Sequence, residues 1–302
     1  MTIEEICYKY FNKDKAIIKH TKTIRQFIGM NKKIEEILND LEKENEIKII
    51  YACEAGSREW SLCTGDSDYD IRFIYLFNDH RKYLSLKHKF KDTIDGFSDN
   101  RLYDWVGYDI TKALKLLYQM NPNLCEWIYS SIVYKQDPNY NFVDIARNLL
   151  MKYGKIHQLL YHYRSMAKSN YCKLFIENEN TAVNIKRYLC VIRPCVIVEW
   201  LIVCKKDKIL NNNLIIMMND LKEHLSSDLW DSIMKCIDMK RNCREQNESI
   251  KCIDDWISHV LNDKEVEFKK QKELELLNIN EENKSLDFDN FFHSFLKIKF
   301  EN

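Results

Sequence analysis

Apolar and polar residues in the first part of the chain follow two different periods. Within residues 31–45 the apolar positions recur every three or four residues, which predicts a helix. Residues 47–53 form a short run rich in isoleucine, which predicts a strand. Residues 68–77 begin with strict alternation, and this predicts a second strand. One face of the second strand carries Asp68, Asp70 and Arg72.

Later segments are mainly helical in pattern. Residues 101–109 are predicted as a third strand, and residues 111–120 as a helix that ends before Pro122. From about residue 144 onward no strand is predicted. Helical spacing covers residues 145–162, 182–204, 214–225 and 228–239, with a kink or break expected at Pro194, and a highly charged helix is predicted over 265–277.

These elements predict an α+β fold with a small mixed sheet followed by an all-helical domain. We divide the chain into an N-terminal helical extension (1–30), a mixed-sheet core (31–143) and a helical domain (144–302). The low glycine and proline content, 6 and 3 residues, favours long helices over an all-β architecture.

The charge balance limits the kinds of partner. The 46 basic and 46 acidic residues give a net charge of zero, whereas proteins that coat long nucleic acids usually carry a strong basic excess. Any contact with nucleic acid must therefore come from a local basic patch. Two lysine-rich stretches are candidates: Lys205, Lys206 and Lys208, and Lys269, Lys270 and Lys272.

Cysteine use and hydropathy predict a cytoplasmic location. The eleven cysteines are odd in number and contain no C-x-x-C pair, which favours free thiols in a reducing compartment over disulfides or zinc. Residues 1–30 are charged throughout and do not resemble a signal peptide. The most apolar stretch, residues 189–204, contains Arg193 and Glu199 and is too short to cross a bilayer, so no membrane contact is expected.

Four features in a fixed order carry the candidate chemistry. The first strand runs into Gly56 and Ser57, a helix-like turn follows, Asp68 and Asp70 open the second strand, and Asp109 closes the third. A glycine lets the backbone approach a ligand closely, and the amide and hydroxyl of a serine can hold a phosphate oxygen. Aspartates two positions apart on a strand point the same way and can share divalent cations, Mg²⁺ or Mn²⁺. With a third carboxylate the pattern predicts a two-metal site, although each motif alone is an ordinary turn or strand end.

The third carboxylate has two candidates on the third strand, Asp104 and Asp109. The two lie on opposite faces, because Asp109 shares the parity of Trp105 and Gly107. We favour Asp109, since a helix is predicted to begin just after it and the end of the strand should then lie near the site.

Five segments resemble the RNA-repair-associated, RlaP-type branch of the DNA polymerase β-like nucleotidyltransferase superfamily. They are YACEAGSREW (51–60), DSDYDIRF (66–73), GYDITKAL (107–114), NPNLCEW (121–127) and KRYLCVIRP (186–194). The similarity runs from about residue 31 to the C-terminus. The motifs are specific for the superfamily and weak for the exact substrate.

The resemblance implies a polymerase β-like core whose metal-binding carboxylates match Asp68, Asp70 and Asp109 and whose phosphate-binding turn matches Gly56 and Ser57. It also implies transfer of a nucleoside monophosphate from an NTP, ATP being favoured, to a hydroxyl, with an RNA 3′ end as the preferred acceptor. A small molecule or a protein side chain is an alternative acceptor. A catalytically silent nucleotide-binding module is disfavoured, since such a module has no need for three converging carboxylates.

Other residues are weaker candidates for nucleotide binding. Arg72 either binds phosphate or pairs with the aspartates on its own face. Lys186 and Arg193, seven residues apart on one helix face, either reach the triphosphate or extend from the helix to solvent. Arg58 and Tyr188 complete the candidate set. Glu126, three residues after Asn123, is interpreted as part of a helix-capping pair, and the oligomeric state is not predicted.

Overall fold

A five-stranded mixed sheet lies at the centre of the amino-terminal half in the computed structural model, which describes residues 21–85, 90–176, 184–204, 210–243, 249–262 and 281–296. The sheet order is β3-β4-β2-β1-β5. Strands β2 and β4 run parallel, and the other neighbours are antiparallel. The strands are β1 (Ile47–Ala55), β2 (Tyr69–Phe77), β3 (Thr93–Phe97), β4 (Tyr103–Asp109) and β5 (Val133–Gln136).

Helices precede the sheet, connect its strands and build the carboxyl-terminal half. A short 3₁₀ helix, His80–Leu84, follows β2, and a π-helical turn, Cys172–Ile176, extends α6. The α-helices are α1 (Thr21–Asn45), α2 (Gly56–Glu59), α3 (Ile110–Tyr118), α4 (Pro122–Ile128), α5 (Phe142–Tyr153), α6 (Ile156–Tyr171), α7 (Ile185–Val203), α8 (Leu214–Asp220), α9 (Ser227–Arg241), α10 (Lys251–Asn262) and α11 (Glu281–Leu296).

The predicted α+β class is confirmed, and three of the five strands coincide with the predicted ones. β1, β2 and β4 lie within or close to the predicted segments 47–53, 68–77 and 101–109. The other two, β3 and β5, were not predicted. They are the edge strands, only five and four residues long, and their sequences TIDGF and VYKQ carry little apolar alternation.

Two helical predictions are wrong in detail. The single helix over 145–162 is two helices, because α5 ends at Tyr153 and α6 begins at Ile156. Of the kink or break expected at Pro194, the break does not occur, because α7 continues through the proline, and nearly every central residue of the helix is buried. Packing on all sides therefore offsets the lost backbone hydrogen bond. The charged helix predicted over 265–277 lies outside the described residues.

Each face of the sheet has its own hydrophobic cluster. On one face Ile34 and Leu38 of α1 pack with Ile71, Phe73 and Tyr75 of β2. The cluster on the other face begins at β1 and β2 and extends without interruption into α3–α11. One core thus runs across residues 143 and 144, so the proposed domain boundary there stays a prediction.

Helix α7 lies at the centre of the carboxyl-terminal half. It packs against α6, α8, α9 and α10. Arg193 and Glu199, the two charged residues of the apolar segment 189–204, are both buried within it. In the described part of the chain no helix has the length and apolarity needed to cross a membrane.

The last described helix, α11, returns to the amino-terminal half. Phe288 packs edge-on against Tyr118 of α3, and Phe291 stacks on Phe142 of α5. Phe292 contacts Tyr83 of the 3₁₀ helix at a ring separation of 5.8 Å. The carboxyl-terminal segment therefore stabilises the face of the sheet core behind α3.

Candidate active site

The turn after β1 lies directly against the second strand. Gly56 has φ +64°, and a Cβ at this position would lie 2.0 Å from Oδ2 of Asp70. Only glycine allows the chain to turn there while the carboxylate keeps its place. The turn then closes as the short helix α2, with the N–H of Leu62 donating to the carbonyl of Ser57 at 2.8 Å. The structure thus brings Gly56, Ser57 and Asp70 together.

Side chains of β1 and β5 hold the start of β2 in place at Asp70. The N–H of Asp70 donates to Glu54 Oε1 at 2.7 Å, and the Tyr134 hydroxyl donates to the same carboxylate. Burial raises the pKa of Glu54 to about 7, although both hydrogen bonds lower it. Burial also raises the pKa of Asp70, while the neighbouring Arg72 lowers it. Asp68 precedes the strand and is exposed.

Arg72 bridges two carboxylates on neighbouring strands. Because β2 and β4 are parallel with Asp70 opposite Asp104, both side chains lie on the same face of the sheet. Nη2 of Arg72 donates to Asp70 at 2.8 Å, and Nη1 donates to Asp104 at 2.6 Å. Of the two roles considered for Arg72, the structure places it in the ion pair.

Asp109 does not lie with the aspartate pair. It is opposite Tyr75 in the β2–β4 register, five positions beyond the Asp70–Asp104 pair, or about 16 Å along the strands. Its side chain is fully buried and caps α3, accepting the N–H and hydroxyl of Thr111 and the hydroxyl of Tyr83. The predicted grouping with Asp68 and Asp70 is therefore corrected: Asp104, the rival candidate, occupies the place expected for Asp109.

Two other predicted nucleotide contacts have structural partners. The guanidinium of Arg58 lies 3.7 Å from the ring centroid of Tyr69 and donates to the carbonyls of Ser67 and Asp68, so it shapes the loop that presents Asp68. Tyr188 is buried and donates to Asp254 Oδ1 at 2.7 Å. Neither residue lines the cleft between the sheet core and the helical half.

A cleft of about 580 Å³ lies between the sheet core and the helical half. The sheet core contributes the Gly-Ser turn, both aspartates and Arg72. The helical half contributes Lys186 from α7 and Lys240 from α9, and α4 contributes Asn123, Glu126 and Trp127. Acidic and basic walls thus face one another across a space of the size that accepts a small-molecule ligand.

Comparison of the sequence with known families identifies the family of this chain. Residues 30–286 match RlaP, the RNA repair pathway DNA polymerase beta family. The chain belongs to the RlaP family. The resemblance predicted from the five motifs is thereby confirmed, and the match spans both the sheet core and most of the helical half.

Two individual proteins are also similar to this RlaP member. The uncharacterized protein YcgL of Bacillus subtilis is 33% identical over 192 residues, which cover 64% of this chain and 70% of YcgL. A nucleotidyltransferase-like protein from Exiguobacterium sibiricum, known from a crystal structure, matches 90% of this chain and 81% of its own at 9% identity and a TM-score of 0.28. That structural likeness is too weak to carry an argument.

The donor set of this RlaP member suits an open site for a hard cation. Among the described residues, no three His, Cys, Asp or Glu side chains are arranged as a complete metal cage. Magnesium in nucleotide-using enzymes, however, takes one or two carboxylates and completes its shell with water and phosphate oxygens. Asp68 and Asp70 fit that pattern, whereas Asp104, opposite Asp70, is paired with Arg72 and does not line the cleft.

A buried network behind the cleft was missed in the sequence. The helix cap of α4 is Asn121, not Asn123, so the predicted Asn123–Glu126 capping pair is wrong. Glu126 instead accepts the hydroxyl of Tyr163 at 2.8 Å and lies 3.0 Å from Nη2 of Arg193. Arg193 is 4% exposed and is absent from the cleft lining, so it neither extends to solvent nor reaches the cleft.

A second missed carboxylate anchors the turn that contains Gly56 and Ser57. Glu59 is buried at the end of α2 and accepts the N–H of Ser131 at 2.9 Å and the hydroxyl of Ser130 at 3.0 Å. These contacts fasten the turn to the segment before β5. A lone glutamate in a polar stretch carries no sequence signal for this role. The two lysine-rich stretches, 205–208 and 269–272, lie outside the described residues.

Proposed function

We propose that the chain transfers a nucleoside monophosphate from an NTP, ATP being favoured, to a hydroxyl acceptor. The observation that carries the proposal is the contact of Gly56 with Asp70, which joins a phosphate-binding turn to a carboxylate pair inside one cleft. A turn of this kind offers N–H donors to phosphate oxygens, and the aspartates offer hard oxygen ligands. The family description agrees with this chemistry.

Each part of the cleft has a task in the proposed reaction. The Ser57 amide and hydroxyl hold a phosphate oxygen, and Asp68 and Asp70 would hold Mg²⁺ or Mn²⁺, with Asp104 on the neighbouring strand as the third carboxylate. A bound cation would lower the pKa of the attacking hydroxyl and neutralise charge on the triphosphate. The acceptor oxygen bonds to the α-phosphorus as the bond to pyrophosphate breaks. The guanidinium of Arg72 can donate hydrogen bonds to the leaving phosphates.

The lysines of the helical half suit the outer phosphates. Lys186 and Lys240 line the same cleft as the aspartates. Within the described residues neither lysine forms an ion pair, so both ammonium groups are available to a triphosphate. Lys240 takes the place that the sequence suggested for Arg193.

The acceptor we favour is an RNA 3′ end in a repair reaction, which rests on the family description. A net charge of zero agrees with contact to the end of a strand and disfavours indiscriminate coating of RNA. Small-molecule and protein acceptors keep the same donor chemistry.

The test supplies the protein with Mg²⁺ or Mn²⁺, one α-labelled NTP at a time, and total RNA. We expect label on RNA ends with the wild type and none with Asp70→Asn, which keeps an acceptor for Arg72 and should fold. Label on a metabolite or a protein would replace RNA as the acceptor and leave the transfer chemistry standing. Absence of transfer with every NTP and acceptor class would contradict the proposal.

A further inference from the structure

Trp60 connects the turn that contains Gly56 and Ser57 to the helical half. It follows α2 directly, and its N–H donates to the carbonyl of Gly56 at 3.0 Å. Its own carbonyl accepts the N–H of Leu214, the first residue of α8. The half-buried indole lines the cleft. A large apolar side chain therefore lies one helical turn from the glycine that would approach phosphate.

The indole is held in place from one side. Its Nε1 donates to Oε2 of Glu126 at 3.3 Å, and the guanidinium of Arg193 stacks on the ring with a centroid distance of 3.9 Å. Neither Nε nor Nη2 of the buried Arg193 has a hydrogen-bond acceptor in the described part of the chain, although Nη2 lies 3.0 Å from Glu126 Oε1 as an ion pair. The guanidinium is thus oriented by its Trp60 contact and by the nearby Glu126 carboxylate. Burying an arginine costs free energy unless its contacts compensate the loss of hydration, so the contacts with Trp60 and Glu126 are the ones that hold it there.

The other two aromatic side chains of the cleft, the half-buried Tyr108 and the buried Trp127, stack on each other. Tyr108 stacks on Trp127 with a centroid distance of 4.5 Å, and Lys112 lies 5.0 Å from the centroid of Tyr108. Trp127 is only 5% exposed. For Trp60, by contrast, the described residues supply no second stacking ring or cation besides Arg193. Its remaining surface is the aromatic area that the cleft offers to a ligand.

We propose that Trp60 is the stacking platform for the nucleobase of the incoming nucleotide, with Arg193 and Glu126 as positioning residues. The proposal rests on the proposed function and adds a base subsite to it. A planar base is the part of a nucleotide that a rigid indole recognises, and each such stack lowers the binding free energy appreciably. Since every base has a π-face, Trp60 favours purines by area and selects little by hydrogen bonding.

The incoming NTP is a better source of the base than the acceptor. Trp60 belongs to the same turn as Gly56 and Ser57, so a nucleotide whose phosphates lie at that turn has its base within reach of the indole. The terminal base of an RNA acceptor shares the stacking chemistry. Measurements on the acceptor therefore distinguish the two sources.

The experiment measures equilibrium binding of ATP, AMP and inorganic tripolyphosphate in Mg²⁺ to the full chain. Trp60→Leu keeps an apolar side chain but loses stacking, whereas Trp60→Phe keeps stacking. We expect Trp60→Leu to weaken ATP and AMP about tenfold, within the range for loss of one base stack, and to leave tripolyphosphate unchanged. Trp60→Phe should restore most of the affinity. Trp230→Leu is the control, because that indole donates to the carbonyl of Met218 and lies outside the cleft.

Other results of these measurements would contradict the role of Trp60 as a stacking platform. Equal ATP binding by Trp60→Leu and wild type would do so, as would equal losses for ATP and tripolyphosphate, which indicate a structural role. A raised KM for an oligonucleotide acceptor with unchanged ATP affinity would move the base to the acceptor. Wild type that binds neither ATP nor tripolyphosphate would overturn the proposed function as well. Should Trp60→Leu not fold, photo-crosslinking of wild type with 2-azido-ATP decides: label on Trp60 supports the platform, and label elsewhere contradicts it.

Discussion

Gly56 is the residue whose identity the geometry constrains most. Its positive φ and the 2.0 Å separation that an added Cβ would have from Asp70 Oδ2 both exclude other side chains. We predict that Gly56→Ala costs about 1–3 kcal/mol of stability from backbone strain and loses nucleotidyl transfer, because Asp70 must shift. Gly65→Ala is the matched control, since nothing lies within 4 Å of its added Cβ. Chemical denaturation and the labelling assay measure both effects. Wild-type transfer by Gly56→Ala would show that the contact is dispensable.

Glu59 should give the protein a pH-dependent stability. Burial raises the pKa of its carboxyl above the ordinary value, despite hydrogen bonds from Ser130 and Ser131 that lower it. The folded state therefore binds the proton more tightly than the unfolded state does. That contribution is complete below the unfolded pKa of about 4.5 and is lost as pH rises through the higher folded pKa.

The comparison with Glu59→Gln isolates this group. We expect the free energy of unfolding of wild type, relative to Glu59→Gln, to fall as pH rises from about 4 to 7. Urea denaturation at a series of pH values measures the difference. A difference that is flat or rises with pH would mean that the hydrogen bonds outweigh burial.

The elements show why the site was only partly predictable. Local patterns were sufficient for β1, for β2 and for the Gly-Ser turn, because each depends on residues adjacent in sequence. Parity placed Asp104 and Asp109 on opposite faces of β4, yet only the parallel register with β2 decides which of them meets Asp70. That register depends on β3 and the segment before it, which carried no usable signal. The contacts of Arg193 with Glu126 and Trp60 likewise join residues far apart in sequence.

The register gives opposite expectations for the two aspartates of β4. We predict that Asp104→Asn lowers kcat about 100-fold, equal to ~3 kcal/mol, because a metal ligand is weakened while Arg72 keeps an acceptor. Asp109→Asn should retain most transfer, since asparagine also caps a helix. Asp109→Ala should lose about 0.5–2 kcal/mol of stability with the cap. Kinetics at saturating Mg²⁺ and thermal unfolding measure the set. Inactive, stably folded Asp109→Asn beside active Asp104→Asn would restore the original assignment.

Helices α7 and α9 supply the basic wall of the cleft, and their lysines should act mainly on binding. We predict that Lys186→Gln and Lys240→Gln each raise the KM for NTP about five- to tenfold with a smaller change in kcat, because the outer phosphates keep their charge from ground state to transition state. Lys235→Gln, exposed on α9 and outside the cleft lining, is the control. Steady-state kinetics measure the effect. A loss confined to kcat would place these lysines at the reacting phosphate instead.

Taken as one body, the described chain has two features that bear on the acceptor. Its cleft lies between the sheet core and the helical half, and its core continues across both, so the cleft walls belong to one packed unit. The net charge of the full sequence is zero, which leaves steering of RNA to local groups. An acceptor would accordingly be held by few phosphate contacts near the cleft mouth.

The salt dependence of transfer therefore identifies the acceptor. Each phosphate neutralised on a single strand contributes a slope of about −0.7 to a plot of log affinity against log salt. With about two contacts, a fourfold rise in salt should lower kcat/KM for RNA roughly sevenfold. Measurements of kcat/KM for an RNA oligonucleotide and for a dinucleoside acceptor, at fixed Mg²⁺ and saturating NTP, separate this effect from that on the donor. A slope several times steeper would mean that the protein follows the RNA backbone over many nucleotides. A slope near zero for RNA would contradict recognition of a strand end and would favour an uncharged small-molecule acceptor.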